Sequence, residues 1–184
     1  YVGDWANDQI SGDGIYSYKN GDRYDGNWKN GNIHGKGTFA NSAGDVYIGE
    51  FKNNEMSGWG NYIYKNGDTY VGEWKNDKKE GQGTLSYING DKYIGKWTKD
   101  KRVGNGTINF VNGNTYDGEW KNDYIEGYGT FNDSNGDIYK GEWKNEKKEG
   151  QGNYTFKNGD SYEGEWKSNI KNGEGTFSYI NGDK

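Results

Sequence analysis

Aromatic and polar residues alternate along this chain with a period of two, the spacing of a strand that buries one face. Tyr1, Gly3 and Trp5 fall on one face, and Val2, Asp4 and Ala6 on the other. Gly14, Tyr16 and Tyr18 again share a face. The pattern then starts over. Tyr recurs without slippage at Tyr1, Tyr24, Tyr47, Tyr70, Tyr93, Tyr116, Tyr139 and Tyr162. Gly follows two residues later each time, and Trp two further on, with Phe51 as the one exception. A Gly-x-Gly pair such as Gly12 and Gly14, and a closing Gly-Asp such as Gly21-Asp22, complete the unit; Asn114 replaces the Asp once. The 184 residues therefore divide into units 1–23, 24–46, 47–69, 70–92, 93–115, 116–138, 139–161 and 162–184. Four fixed places per unit hold 32 of the 33 glycines, and only Gly31 stands apart. Such self-similarity marks a stacked array, here one continuous domain.

Each unit reads as two short strands with an aromatic face and a polar face. Parity sets the register, because a slip of one residue turns every side chain to the wrong face. If Tyr18 shares a face with Tyr24, an odd-numbered loop around Asn20-Gly21-Asp22 joins them, and a two-residue Asn-Gly loop is rejected. The expected pairs are then Tyr16 with Gly26 and Gly14 with Trp28 across units, and Tyr24 with Asn41, Gly26 with Phe39 and Trp28 with Gly37 within a unit. Glycines would leave room for neighbouring rings to lie over the backbone. The fold class expected is all-β: an elongated single-layer antiparallel sheet of eight 23-residue hairpin repeats, twisted into a groove, because so many rings cannot lie flat in water.

Composition narrows the function. Eight Trp and seventeen Tyr stand against a single Leu, so helix formers are scarce. Leu, Ile, Val and Phe make up about 13% of residues, a level that by itself suggests disorder; the strict period overrides it. The absence of cysteine excludes a disulfide framework and a thiolate metal site. A net charge of −5 argues against a nucleic-acid partner. There is neither an 18-residue apolar window nor a leader-like segment, and a chain beginning at Tyr1 is expected to be part of a longer one.

The unit Tyr70-Val-Gly-Glu-Trp-Lys-Asn-Asp-Lys-Lys-Glu-Gly81-Gln-Gly83, followed by Gly90-Asp91-Lys-Tyr93, resembles the MORN repeat (membrane occupation and recognition nexus), and the resemblance covers all eight units. It implies an array of β-hairpins and a scaffold role in cytoskeletal, ciliary or membrane-contact assemblies; the intracellular setting expected beside it rests on the lack of cysteine and of a secretion signal. It also implies protein partners, among them an amphipathic helix or extended segment lying in the groove, and homo-association of arrays, here through the edge strands. The alternative it carries is a regulatory or membrane-targeting array attached to an enzyme domain outside this segment. Departures from the pattern are Phe51, Asn114, and Asn41 and Asp133 in the aromatic row.

Enzyme chemistry finds little support. His34, the one histidine, is placed in a variable loop between Asn30 and Gly35. The carboxylates recur from unit to unit, as a solvated face and turns would. Calcium at Asn-Gly-Asp and phosphate at Gly-x-Gly are both rejected, the first for turn residues bonding local backbone, the second because no helix follows. No cofactor and no metal is expected. The lipid reading rests on Lys78, Lys79, Lys101, Arg102, Lys147 and Lys148, placed in loops along one edge, each pair bracketed by acid; it is not favoured. A groove receiving a protein segment is favoured, since Tyr and Trp are preferred interface anchors. Its candidate residues are Tyr24, Trp28, Tyr47, Tyr64, Tyr70, Trp74, Tyr87, Tyr93, Trp97, Tyr116, Trp120, Tyr139, Trp143, Tyr162 and Trp166, with the Tyr row the more available. Trp59, Tyr124 and Tyr128 are off-pattern rings and candidates for a specific contact.

Overall fold

The computed structural model describes residues 1–183; Lys184, the last position of the eighth unit, lies outside them. Sixteen strands run in sequence order through one open antiparallel sheet. They are β1 (Val2–Ala6), β2 (Gln9–Ser17), β3 (Arg23–Lys29), β4 (Asn32–Ala40), β5 (Val46–Lys52), β6 (Glu55–Ile63), β7 (Thr69–Lys75), β8 (Lys78–Ser86), β9 (Lys92–Thr98), β10 (Lys101–Asn109), β11 (Thr115–Lys121), β12 (Tyr124–Asn132), β13 (Ile138–Lys144), β14 (Lys147–Thr155), β15 (Ser161–Lys167) and β16 (Ile170–Ser178). No helix occurs among the described residues, so none is long and apolar enough to cross a membrane. The chain divides into two compact units, Tyr1–Ile88 with Trp97–Asp100 and Asn89–Lys96 with Lys101–Lys184. Both are built by the same rules.

Two turn types alternate. Within a repeat the strands are joined by two residues with positive φ, as at Asn30 (49°) and Gly31 (77°) or Asn76 (50°) and Asp77 (62°). That is the two-residue hairpin turn whose twist matches its strands. Between repeats the loop is three residues, Lys19-Asn20-Gly21 in the first: Tyr18 N donates to Asp22 O (2.9 Å) and Gly21 N to Tyr18 O (3.1 Å). The odd loop is as expected, but it is centred one residue earlier than Asn20-Gly21-Asp22.

The register consequently differs from the expected one by a pair. Tyr16 faces Tyr24, Gly14 faces Gly26, and Gly12 faces Trp28. Within the second repeat Tyr24 faces Phe39 and Gly26 faces Gly37, and then the register shifts so that Trp28 faces Ile33. The shift is a bulge opposite Asn27 that places His34, Gly35 and Lys36 against one residue, with Gly35 at φ 79°. His34 is thus a half-buried strand residue, not a loop residue.

The reason for glycine facing glycine is the tyrosine. Tyr24 lies down over Gly26 and Gly37 and donates its hydroxyl to Asn27 O (3.0 Å). Tyr47 and Tyr70 repeat this in the first unit, Tyr116 and Tyr139 in the second. All of these rings are at most 1% exposed. The Tyr row is the innermost layer of the array, not the available one.

Consecutive repeats are tied at three levels. Trp28, Trp74, Trp97, Trp120, Trp143 and Trp166 each donate the indole N–H to a glycine carbonyl of the preceding repeat, as Trp28 does to Gly14 (3.2 Å) and Trp120 to Gly106 (2.9 Å). At the three-residue loops, Asp22 accepts from Ser42 N (2.7 Å) and Asp45 from Lys65 N (2.9 Å). At the two-residue turns the order is reversed: Asn54 reaches back to Ile33 N (2.8 Å) and Asp77 to Met56 N (2.7 Å). On the polar face Glu73, Glu119 and Glu142 accept from the bulge amides of Gln82, Tyr128 and Gln151. The recurring carboxylates bind backbone, both locally and one repeat away.

One prediction follows from the loop clamp. The Ser42 amide holds the Asp22 carboxyl below its ordinary value, and the Lys65 amide does the same for Asp45. A depressed folded pKa contributes stability above the unfolded value near 3.9, and that contribution is lost as pH falls through the folded value. Asn114, which accepts from Ser134 N (2.9 Å), shows that an amide keeps the clamp. Asp22→Asn is therefore expected to match the parent in urea unfolding at pH 7 and to lose less between pH 5 and pH 3. Equal acid losses in the two proteins would disprove the linkage.

Candidate functional site

The aromatic face is layered. Above the buried tyrosines stand the Trp rings, edge-on to the Tyr of their own repeat and of the one before. Tyr24 meets Trp28 and Phe51, each at 5.2 Å, and Tyr116 meets Trp120 at 5.7 Å and Trp143 at 5.4 Å. Edge-to-face packing of this kind adds about 0.5–1.5 kcal/mol per pair beyond burial. Of the groove candidates, Tyr24, Trp28, Tyr47, Tyr70, Trp74, Tyr93, Trp97, Tyr116, Trp120, Tyr139, Trp143, Tyr162 and Trp166 are all buried in these two layers. Tyr64 and Tyr87 are half-buried and belong to the outer surface.

That outer surface is made by three places in each repeat: those of Tyr16, Tyr18 and Ile10. The last is the one missed from sequence. It sits directly across from Trp, as Ile33 from Trp28, Lys79 from Trp74 and Lys148 from Trp143, and therefore on the aromatic face. Counting back by two from Gly14 through Gly12 reaches Ile10, so the period carried the signal, but a stretch rich in lysine reads as a loop.

The residue at this place changes along the chain. It is Ile10, Ile33 and Met56, then Lys79 and Arg102, then Ile125, then Lys148 and Lys171. The cations lie over rings. Lys79 Nζ is 5.3 Å from the Tyr64 ring, 5.4 Å from Tyr70 and 5.0 Å from Trp97. The Arg102 guanidinium is 4.3 Å from Trp120. Lys148 is 4.4 Å from Tyr154 and 5.2 Å from Trp166, and Lys171 is 4.7 Å from Tyr162. Burial pushes the Lys148 ammonium below its ordinary value. Of the six residues considered for a lipid edge, Lys79, Arg102 and Lys148 are therefore strand residues packed on aromatic rings. Lys78, Lys101 and Lys147 open strands too, and they are exposed.

The two gaps in the outer ring row resolve differently. At Asp133 the missing ring is followed by Lys148, whose charge both Asp133 and Asp137 support. At Asn41 the following residue is Met56, and no cation closes the space. A cavity of about 410 Å³ opens there, lined by Tyr18, Asp22, Ile33, Phe39, Phe51, Asn54, Met56, Tyr62 and Asp77. Its floor is apolar. Asp22 stands on one wall and Asp77 on the other, and no cation lines it. Asn41 itself is turned to Asp45 (3.0 Å), whose carboxylate also accepts the Tyr62 hydroxyl (3.0 Å). This trough lies wholly within the first unit.

The off-pattern rings lie elsewhere. Trp59 and Tyr128 are on the polar face, opposite Glu73 and Glu142, and more than half exposed. Tyr124 begins β12 beside a two-residue turn. No group of His, Asp and Glu among the described residues is arranged to hold a metal ion.

Comparison with known proteins agrees with this architecture. The family model described as MORN repeat matches residues 1–23, 24–46, 47–69, 70–92, 93–115, 116–138, 139–161 and 162–184. No curated protein matches by sequence. Among solved structures, the chain is similar to the TCP domain of Drosophila melanogaster SAS-4 (dCPAP), solved in complex with a Proline Rich Motif of Ana2 (dSTIL). That similarity has 13% identity and a TM-score of 0.53 and covers 93% of this chain and 86% of that one. A second structure, the TCP10c domain of Drosophila melanogaster Sas-4, gives 13% identity and a TM-score of 0.48, covering 93% and 95%. At such identity the likeness is one of fold.

Proposed function

The chain belongs to the MORN repeat family, and from that premise we propose that it is a non-catalytic docking scaffold whose aromatic face receives a segment of a partner protein. The observation that carries this reading is the open apolar trough between Ile33 and Met56, on a face whose equivalent place is taken by a cation in four other repeats. The engagement of the recurring carboxylates with backbone amides supports a scaffold over a catalyst, since those groups are already in use. The Drosophila SAS-4 domain, which shares the fold, holds a peptide motif of another protein. A cytoskeletal assembly is the setting we propose, in keeping with the family. Membrane attachment is the weaker reading: with Lys79, Arg102 and Lys148 laid over rings, a lipid edge would rest on Lys78, Lys101 and Lys147, fewer charges than polybasic recognition uses.

Photo-crosslinking tests the reading. A crosslinking residue at Tyr62, in the trough, is expected to join one contiguous segment of a partner protein, whereas the same residue at Tyr128, on the polar face, is not. Anionic vesicles containing phosphatidylserine are expected to elute apart from the protein. Equal, scattered crosslinking from both positions, or salt-sensitive co-elution with vesicles, would overturn it.

A further inference from the structure

We infer that the trough between Ile33 and Met56 takes a polyproline II segment that presents an apolar side chain at every third residue and carries Arg or Lys beside it; this rests on the docking reading above and specifies its occupant. The first argument is pitch. Ile33 and Met56 occupy the same place in adjacent repeats, so a ligand touching both runs across the strands. One repeat advances two strands, about 9.6 Å. A polyproline II helix advances about 9.3 Å in its three-residue turn, so every third side chain meets an equivalent place with about 0.3 Å of drift per repeat. Two turns of α-helix advance about 10.8 Å, a drift of about 1.2 Å per repeat. The extended left-handed segment fits the spacing of the array, and the amphipathic helix slides out of step with it.

The second argument is charge. The walls carry Asp22 and Asp77 and no cation. Asp22 is held below its ordinary carboxyl value by the Ser42 amide, so it stays negative through the physiological range. A cationic residue flanking the apolar anchors is complemented on both sides, and an acidic one is repelled. The third argument is backbone. A polyproline II segment makes no internal hydrogen bonds and leaves its carbonyls free for the surface it meets. Tyr18, half-exposed at the wall, offers a hydroxyl, and the flat faces of Phe39 and Tyr62 suit pyrrolidine rings.

The array also supplies the variant that closes the site. Met56→Lys installs what Lys148 is beside the equivalent gap at Asp133, where the ammonium lies over Tyr139, Tyr154 and Trp166; their counterparts Tyr47, Tyr62 and Trp74 are present here, so the fold already accommodates it. Asp22→Asn likewise reproduces the clamp of Asn114. The probes are fluorescent peptides of four Pro-Pro-Leu triplets ending in Arg, the same peptide ending in Glu, and an amphipathic Leu/Lys helix, read by anisotropy on the full chain. The Arg-ended triplet peptide is expected to bind most tightly, to lose about tenfold or more on Met56→Lys, and to lose several-fold and part of its salt dependence on Asp22→Asn. Lys171→Ala, remote in the second unit, is expected to leave it unchanged. Tighter, Met56-sensitive binding of the helix would overturn the inference and leave the docking reading standing. Binding indifferent to Met56→Lys, or none by the triplet peptide, would overturn the inference, and the crosslinking result then decides the docking reading separately.

Discussion

Raising the pH through the range 10 to 12 is expected to unfold the array in one steep step, with tyrosinate absorbance at about 295 nm appearing together with the loss of circular dichroism. Burial pushes the Tyr24 hydroxyl up to about 12, and pushes Tyr47, Tyr70, Tyr116 and Tyr139 higher still. An unfolded tyrosine ionises near 10. A group whose folded pKa is raised contributes stability that is whole below the unfolded value and is lost as pH climbs towards the folded one. At about 1.4 kcal/mol per pKa unit, discounted for screening by water, the Tyr24 shift is a loss of stability on the order of 2 kcal/mol by pH 12. Five such rings lose stability over the same pH range, in a fold whose whole stability is typically about 5–15 kcal/mol. The half-buried Tyr62 and Tyr154, also raised to about 12, add less because water screens them. Full tyrosinate absorbance at pH 10 with the dichroism intact would refute the layering described for these rings.

Gly37→Ala is expected to be among the most damaging single methyls in the first unit. A Cβ there would lie 2.5 Å from ring carbons of Tyr24, a ring 0% exposed and bonded through its hydroxyl. The ring cannot yield without breaking its bond to Asn27 and its edge contacts to Trp28 and Phe51. Overpacking costs about 1–3 kcal/mol, and the rigid surroundings place this case at about 3. The informative partner is Gly31→Asn. Gly31 sits in a turn with open space where its Cβ would be, and with a φ of 77° that Asn tolerates. The equivalent Asn54 clamps the Ile33 amide, so Gly31→Asn is expected to give the Ile10 amide the same acceptor and to stabilise by about 0.5–1 kcal/mol. Urea unfolding followed by tryptophan fluorescence separates the two. A harmless Gly37→Ala would mean that glycine faces glycine for some reason other than the ring above it.

The repeat, its two strands and the identity of its buried rings were legible because Tyr, Gly and Trp recur at fixed places. The register missed by a pair because parity alone cannot distinguish Tyr16 facing Tyr24 from Tyr16 facing Gly26. The deciding term is the Tyr24 ring covering Gly26 and Gly37 together, and that is a packing fact. The two-residue turns were hidden for a chemical reason: Lys99-Asp100 and Ser168-Asn169 adopt the same positive φ angles as Asn30-Gly31 without its Asn-Gly signature. That concealment turned Lys79, Arg102 and Lys148 into loop residues. The gaps at Asn41 and Asp133 were visible as departures from the pattern. What each gap means depends on the residue fifteen positions on, Met56 or Lys148.

The backward reach of Trp120 to Gly106 and of Asp77 to Met56 gives synthesis a direction. A repeat leaving the ribosome cannot complete its own hydrogen bonding, because its glycine carbonyl and its turn-side amide wait for groups encoded about one unit later. The nascent chain should therefore set like a zip closing from the first repeat, each tooth seated by the arrival of the next. At every moment of translation only the newest repeat is left soft.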